Sequence, residues 1–328
     1  MKALVTGATG FIGGNVVRAL LRHGYEVRAL VRAGSDRRGL EGLSLEVALG
    51  DLRDRGSLRQ AMRGCEAVLH VGAAYTLWSR DPAAIYESNV GGTENLLEAA
   101  REQGVRRVVH TSSESTIAIA RNGCLGSEVG DNSSDQLPGD YKKSKLIAER
   151  LARKAAESGL PVVIVNPTTP IGAGDLKPTP TGRIVVDFLR RRLPAYVETG
   201  MNFVDVEDVA EGHVLALERG RVGERYLLGH ENLSLRQALQ ILERISGLRA
   251  PSLRLPLWLA LGAAHLDERL AARLGRPPRI PLAGVKAALK TRYFDCSKAV
   301  RELGMPQTPV ELAFEKAVRW FRDNGYAS

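Results

Sequence analysis

Residues 2–13 read KALVTGATGFIG, and the order of those twelve residues decides the fold. Lys2–Thr6 is a short β-branched run that opens as a strand, and Gly7, Gly10 and Gly13 then space a tight turn. Residues 11–23 carry apolar side chains at helical spacing and stop at Gly24, a residue suited to ending a helix. Glycines at such a junction let the backbone approach a pyrophosphate, and the opening turn of the helix supplies unpaired N–H donors and the positive end of its dipole. The GxxGxxG run, with Thr9, Phe11 and Ile12 between its glycines, therefore predicts a dinucleotide site.

Working outward, residues 25–31, 45–49, 67–71, 105–111 and 162–166 read as further strands, with helices over 57–63, 82–103 and 141–158 between them. Right-handed crossovers turn this alternation into a doubly wound parallel sheet of Rossmann type, an α/β fold. Prolines at 167, 170, 178 and 180 mark an irregular segment ahead of a helix expected near 183–192. A helix at 209–219 and a strand at 225–228 return the chain to the sheet, and a helical cap follows from Leu233. The expected division is a dinucleotide-binding domain at 1–170, rejoined by 202–229, and a smaller, mostly helical substrate domain from 171–201 and 230–328.

The chain has 328 residues, 46 basic against 37 acidic, with 44% hydrophobic and 5% aromatic residues. That profile excludes disordered, collagenous and disulfide-stapled classes, and the length suggests about two domains. Cys65, Cys124 and Cys296 are widely spaced without a CxxC pair, so no metal ligand set is expected and a reducing, cytoplasmic setting fits. The most apolar stretch, 255–264, is about half the length a membrane span needs and reads as a core or pocket helix. Basic residues are not interleaved with aromatics, which argues against a nucleic-acid partner.

The end of the second strand reads the ribose 2′ position, through an acid in NAD enzymes or a basic group in NADP enzymes. Val31 and Arg32 stand there, with Ser35 and Arg37 nearby, so a 2′-phosphate is expected; Asp36 lies further into the loop. Asp51 and Leu52 close the third strand near the adenine, and Ala73 and Ala74 follow the fourth. Tyr141 and Lys145, four apart, share a helix face. There an ammonium favours the phenolate and brings a phenol into acid–base range, and the same lysine can bind ribose hydroxyls. Thr111, Ser112 and Ser113 end the fifth strand, where a hydroxyl can hold a substrate oxygen as charge develops.

These stretches, with GDL at 50–52, HVGAA at 70–74, YKKSK at 141–145 and NPTTPIG at 166–172, resemble the extended short-chain dehydrogenase/reductases. The resemblance implies a catalytic Ser113, Tyr141 and Lys145, with Ser112 as rival for the serine role, Asn89 as a fourth member, and backbone near Pro167 and Thr168 for the nicotinamide amide. It also implies a homodimer through the helices at 82–103 and 141–158.

Two branches of that family are similar. Stretches at 174–189, 194–202 and 206–226 resemble hopanoid-associated sugar epimerases, but Met201 stands where nucleotide-sugar enzymes carry a diphosphate-gripping arginine. Only Arg183 or Arg190 to Arg192 offer a replacement. Dihydroflavonol and cinnamoyl-type reductases share Arg32 and the absence of that arginine. The candidate substrate wall, Tyr75, Leu77, Trp78, Ile171, Met201 and Phe203, is mostly apolar, and Glu114 follows the serine. The leading expectation is an NADP-dependent reductase of an apolar small molecule, with NAD possible. The alternatives are an NAD-dependent nucleotide-sugar epimerase or dehydratase and a dinucleotide-sensing regulator without catalysis.

Overall fold

The computed structural model describes residues 1–76, 78–119 and 125–327, so Leu77 and Cys124 lie outside the described residues. The first half runs β1 (Lys2–Thr6), α1 (Phe11–Arg22), β2 (Glu26–Val31), β3 (Glu46–Leu49), α2 (Arg55–Met62), β4 (Ala67–His70), α3 (Pro82–Tyr86), α4 (Gly92–Glu102), β5 (Arg107–Thr111), α5 (Asp140–Glu157) and β6 (Val162–Pro167). The second half continues through β7 (Thr169–Ile171), α6 (Pro180–Leu189), β8 (Tyr196–Val197), β9 (Gly200–Asp205), α7 (Val206–Arg219), β10 (Arg225–Leu228) and β11 (Glu231–Ser234). It ends with α8 (Leu235–Ser246), β12 (Arg254–Leu255), α9 (Leu257–Arg273), α10 (Leu282–Ala287), α11 (Ser297–Leu303) and α12 (Val310–Asp323).

Among the described residues, seven strands form one sheet in the order β10-β6-β5-β4-β1-β2-β3, and every pairing in it is parallel. Successive side chains point to opposite faces. Ala3 and Val5 therefore join Val16, Val17 and Leu20 of α1 and Val209 and Val214 of α7 on one side. Leu4 joins Leu58 and Met62 of α2, Leu96 of α4 and Ala152 of α5 on the other. Both faces of the inner strands are covered, which is why those strands are apolar on each, while the edge strand β3 leaves Val47 and Leu49 exposed. The strand order changes direction beside β1, so the carboxyl ends of β1 and β4 open a crevice at the glycine turn.

Beyond β6, β11 pairs antiparallel and β7 parallel with β9. This small sheet packs with α6, α8 and α12 around Val185, Phe188, Leu239, Leu242, Phe314 and Phe321.

Two sequence expectations change. The single helix expected over 82–103 is broken by a π-helical turn at Glu87–Gly91. Buried Asn89 there accepts from the Ala74 N–H (2.6 Å) and donates to the Ala74 carbonyl (3.2 Å), a tertiary tie that accounts for the bulge. The apolar stretch at 255–264 is not a core helix. It begins α9, which buries only Ala260, Ala264 and Ala271 and leaves Trp258 70% exposed. The small alanines seat the helix and turn its large side chains outward.

Candidate active site

The turn after β1 is built for close backbone approach. Gly7 has φ +68, and a Cβ there would lie 2.6 Å from Gly72 Cα; a Cβ on Gly13 would lie 2.1 Å from the Gly7 carbonyl oxygen. Gly10 is the N-cap of α1 and no side chain caps that helix, so its first-turn N–H groups remain for an anion. Thr9, Phe11 and Ile12 lie on this same turn, and Ala73 and Ala74 follow β4 opposite it. A cradle that any Cβ would fill, facing an uncapped helix, fits a dinucleotide pyrophosphate.

At the outer end of the crevice a cavity of about 640 Å³ is lined by Arg32, Ser35, Asp51, Arg53, Ser57 and Lys177, among others. Asp51 is held by Arg53 through Nε and Nη2 (both 3.0 Å). Arg53 keeps the Asp51 carboxyl below the usual carboxylate range. Asp36 takes Arg38 in the same bidentate way and is lowered to about 2 by that hydrogen bond. Leu52 packs over Gly72 and Gly92. Arg32 and Lys177 form no ion pair within 4 Å among the described residues, and both are exposed. Lys177 was not singled out from sequence, because nothing in its neighbourhood marks it. It reaches the cavity because the 172–178 loop is anchored by Asn15, which donates to the Ala173 carbonyl (3.2 Å), and by the Tyr326 hydroxyl, which donates to the Leu176 carbonyl.

Tyr141 and Lys145 lie on the first turns of α5. The Tyr141 and Tyr75 rings meet with centroids 4.7 Å apart at 52°. Burial, then Tyr75, pushes the Tyr141 phenol above its ordinary value. Lys145, 4% exposed, donates from Nζ to the Thr111 carbonyl (2.6 Å). The expected lowering of the phenol by the ammonium is outweighed here by burial and by Tyr75, while the ammonium is hydrogen-bonded to the end of β5.

Burial lowers Lys145 itself from 10.5 to about 8, opposed in part by Glu149. With the folded value below the unfolded one, the unfolded chain binds more protons between about pH 8 and 10.5, so this group destabilises the fold below that window and less so as pH rises through it. The stability of the protein relative to Lys145→Met should therefore improve from pH 8 to 10.5. Urea unfolding of both proteins across that range checks it, and a flat difference refutes it.

The two candidate serines separate. Ser112 is buried with its hydroxyl donated to the Glu149 carboxylate. Ser113 is half-buried, and its Oγ accepts from the Ser115 N–H (3.2 Å) and hydroxyl (3.0 Å). Asn89 donates to Ser144 Oγ (2.9 Å), which donates to the Tyr141 carbonyl (2.7 Å), so it braces the turn that carries the tyrosine. At the end of β6, the Thr168 N–H (3.1 Å) and hydroxyl (3.3 Å) both donate to the Leu228 carbonyl. Neither Thr168 donor is directed at the crevice, and Pro167 has no N–H to offer.

On the substrate side, Tyr75 is exposed against Tyr141, and Trp78 is half-buried in the same loop. Glu114 forms an ion pair with Arg292, and both are nearly buried. Met201, half-buried, lies beside Arg292 across an isolated parallel bridge. Ile171 and Phe203 are core residues, each 2% exposed, rather than pocket wall. Arg183 and Arg190 to Arg192 are exposed on and after α6, and Arg190 donates from Nε to the Tyr326 carbonyl (2.6 Å). Arg292 was missed from sequence because its partner lies 178 positions away in the chain.

The glycine turn, the tyrosine–lysine helix and the serine at the end of β5 define a dinucleotide-dependent oxidoreductase. Residues 3–229 match the NAD dependent epimerase/dehydratase family, and the chain belongs to this extended short-chain dehydrogenase/reductase group. A Synechocystis protein named "Putative dihydroflavonol 4-reductase" is 50% identical over 98% of this chain and 95% of its own. "Sterol demethylase protein B" of Methylococcus capsulatus is 40% identical over 99% of each. The solved structure of gox2253 superposes with TM-score 0.89 at 41% identity, covering 99% of both chains.

Proposed function

We propose that this enzyme reduces a ketone or aldehyde on an apolar, uncharged small molecule, using NADPH. The observation that carries the reading is the Tyr141 ring set against Tyr75, centroids 4.7 Å apart and tilted at 52°, in a site where the nearly buried Arg292 on the substrate side is already paired with Glu114. Tyr141 would donate its proton to the carbonyl oxygen as negative charge develops there, and a neutral phenol is the protonation state that donation needs. The Ser113 hydroxyl would hold the same oxygen. Lys145 would bind ribose hydroxyls from its place against β5. The bound nicotinamide would supply the hydride.

A sugar nucleotide is the poorer fit. Its diphosphate needs an unpaired cation in the crevice; Met201 offers none, and Arg292 would first have to leave Glu114 at a desolvation cost. The relatives named for a dihydroflavonol and a sterol support an apolar ring substrate.

Coenzyme choice rests on Arg32, Ser35 and Lys177 around the outer cavity. A 2′-phosphate there gains charge-assisted hydrogen bonds of about 1.5–3 kcal/mol each. Arg32→Glu should weaken NADPH binding by roughly tenfold to a hundredfold while leaving NADH nearly unchanged. Fluorescence titration with both coenzymes checks it, and equal losses would end the NADPH assignment. The reaction is tested by a carbonyl panel followed through NADPH absorbance, beside a sugar-nucleotide panel. Stoichiometric NAD released on denaturation, with turnover of a sugar nucleotide and no net redox change, would overturn it.

A further inference from the structure

The helix that was expected inside the molecule lies on its surface. Down one side of α9, Leu259, Leu266, Leu270 and Leu274 recur at helical spacing, and all are more than 40% exposed. Trp258 begins the adjacent stripe, 70% exposed, and Arg269 and Arg273 continue it. Ile280, beyond the helix, is also exposed. The inward side holds Ala260, Ala264 and Ala271.

The charge around this stripe is one-sided. Residues 249–292 contain nine basic and two acidic residues, a net +7 within a chain of net +9. Both acids turn inward: Asp267 accepts from Arg276 and from the Ile280 N–H, and Glu268 from the Leu282 N–H. The exposed charges of the segment, including Arg254, Arg269, Arg273, Arg279, Lys286 and Lys290, are all positive. Arg254 pairs loosely with Glu198 (3.9 Å); an apolar stripe with a tryptophan, rimmed by a net excess of arginine and lysine, has the chemistry of a helix lying in a lipid interface.

Its position matters for the reaction. A Cβ on Gly139, two residues before Tyr141, would lie 3.2 Å from Ala283 Cβ of α10, and one on Gly275 would lie 3.6 Å from Arg80, which follows the Tyr75–Trp78 loop. The segment thus lies against the turn that leads into Tyr141 and against Arg80, two residues after Trp78.

We propose that α9 and its basic rim dock this enzyme on an anionic phospholipid surface, with the mouth of the site held at the membrane. This goes beyond the reading of the reaction, and it is tested without coenzyme or substrate, so its failure would leave that reading standing. The full chain is floated with phosphatidylcholine vesicles, with or without phosphatidylglycerol. It should float with the mixed vesicles only, and Trp258 emission should shift blue, a shift absent in Trp258→Phe. Each rim cation is worth about 1 kcal/mol at an anionic surface, or about fivefold. Arg269→Glu with Arg273→Glu should therefore lower partition more than tenfold, and Leu266→Glu with Leu270→Glu should abolish it. These positions are exposed, and unchanged circular dichroism and urea midpoint would show that the variants fold. No recovery with either lipid, or equal recovery with both, overturns the proposal. A drop in oligomeric mass of the leucine pair on sedimentation also overturns it, since the stripe would then belong to a second copy of the chain.

Discussion

Tyr141→Phe should cut turnover of a carbonyl substrate by about 10²–10⁴-fold, the range that a positioned general acid contributes. The loss should fall on kcat, because the phenol acts on the developing alkoxide rather than on the resting carbonyl. Coenzyme affinity should be preserved, since the pyrophosphate cradle of Gly7, Gly10 and Gly13 is formed by backbone alone. Stopped-flow hydride transfer with saturating NADPH is the clean readout. Turnover within threefold of the parent would remove Tyr141 from the mechanism and favour a sensing role for the dinucleotide.

The second large effect lies beneath the site, at Glu149. This carboxylate is 2% exposed and pairs with Arg225, 8% exposed, at 2.8 Å. It also accepts from the Thr116 hydroxyl (2.6 Å), the Asn166 amide (2.7 Å) and Ser112. Arg225 carries the edge strand β10, so the network fastens that strand to α5. Glu149→Ala leaves a buried guanidinium without that counter-charge and several donors without an acceptor. Removing one partner of a buried pair costs about 3–5 kcal/mol. Asp131 also contacts Arg225 (2.6 Å), but its carboxylate is 45% exposed and offsets only part of the loss. Urea unfolding should show the drop, and Glu149→Gln, which keeps an acceptor, should lose less. A change under about 1 kcal/mol would mean that solvent reaches Arg225 readily.

Most of the sheet was legible in the sequence, because most of its strands are short runs rich in apolar residues, and that cue is local. The glycine turn was legible for the same reason. The departures all depend on partners far along the chain. The bulge at Asn89 needs Ala74, the Glu114 pair needs Arg292, and Ser112 is set apart from Ser113 by Glu149. Ile171 and Phe203 could not be told from pocket wall by composition, since apolar residues serve core and pocket alike. The outward roll of α9 was hidden because a ten-residue apolar run carries no mark of which side its alanines will face. The direction of the Tyr141 shift was not legible, because burial and the Tyr75 ring, which raise it, come from the fold and not from the four-residue spacing to Lys145.

The loop bearing Lys177 is fastened by Asn15 on one side and by Tyr326 on the other. The coenzyme's outer berth is therefore a knot drawn from opposite ends of the polypeptide. Position 326, past the end of α12 and remote in sequence from every glycine of the opening turn, thus helps to hold the loop that brings Lys177 to the outer cavity, while Asn15 of α1 holds its other side.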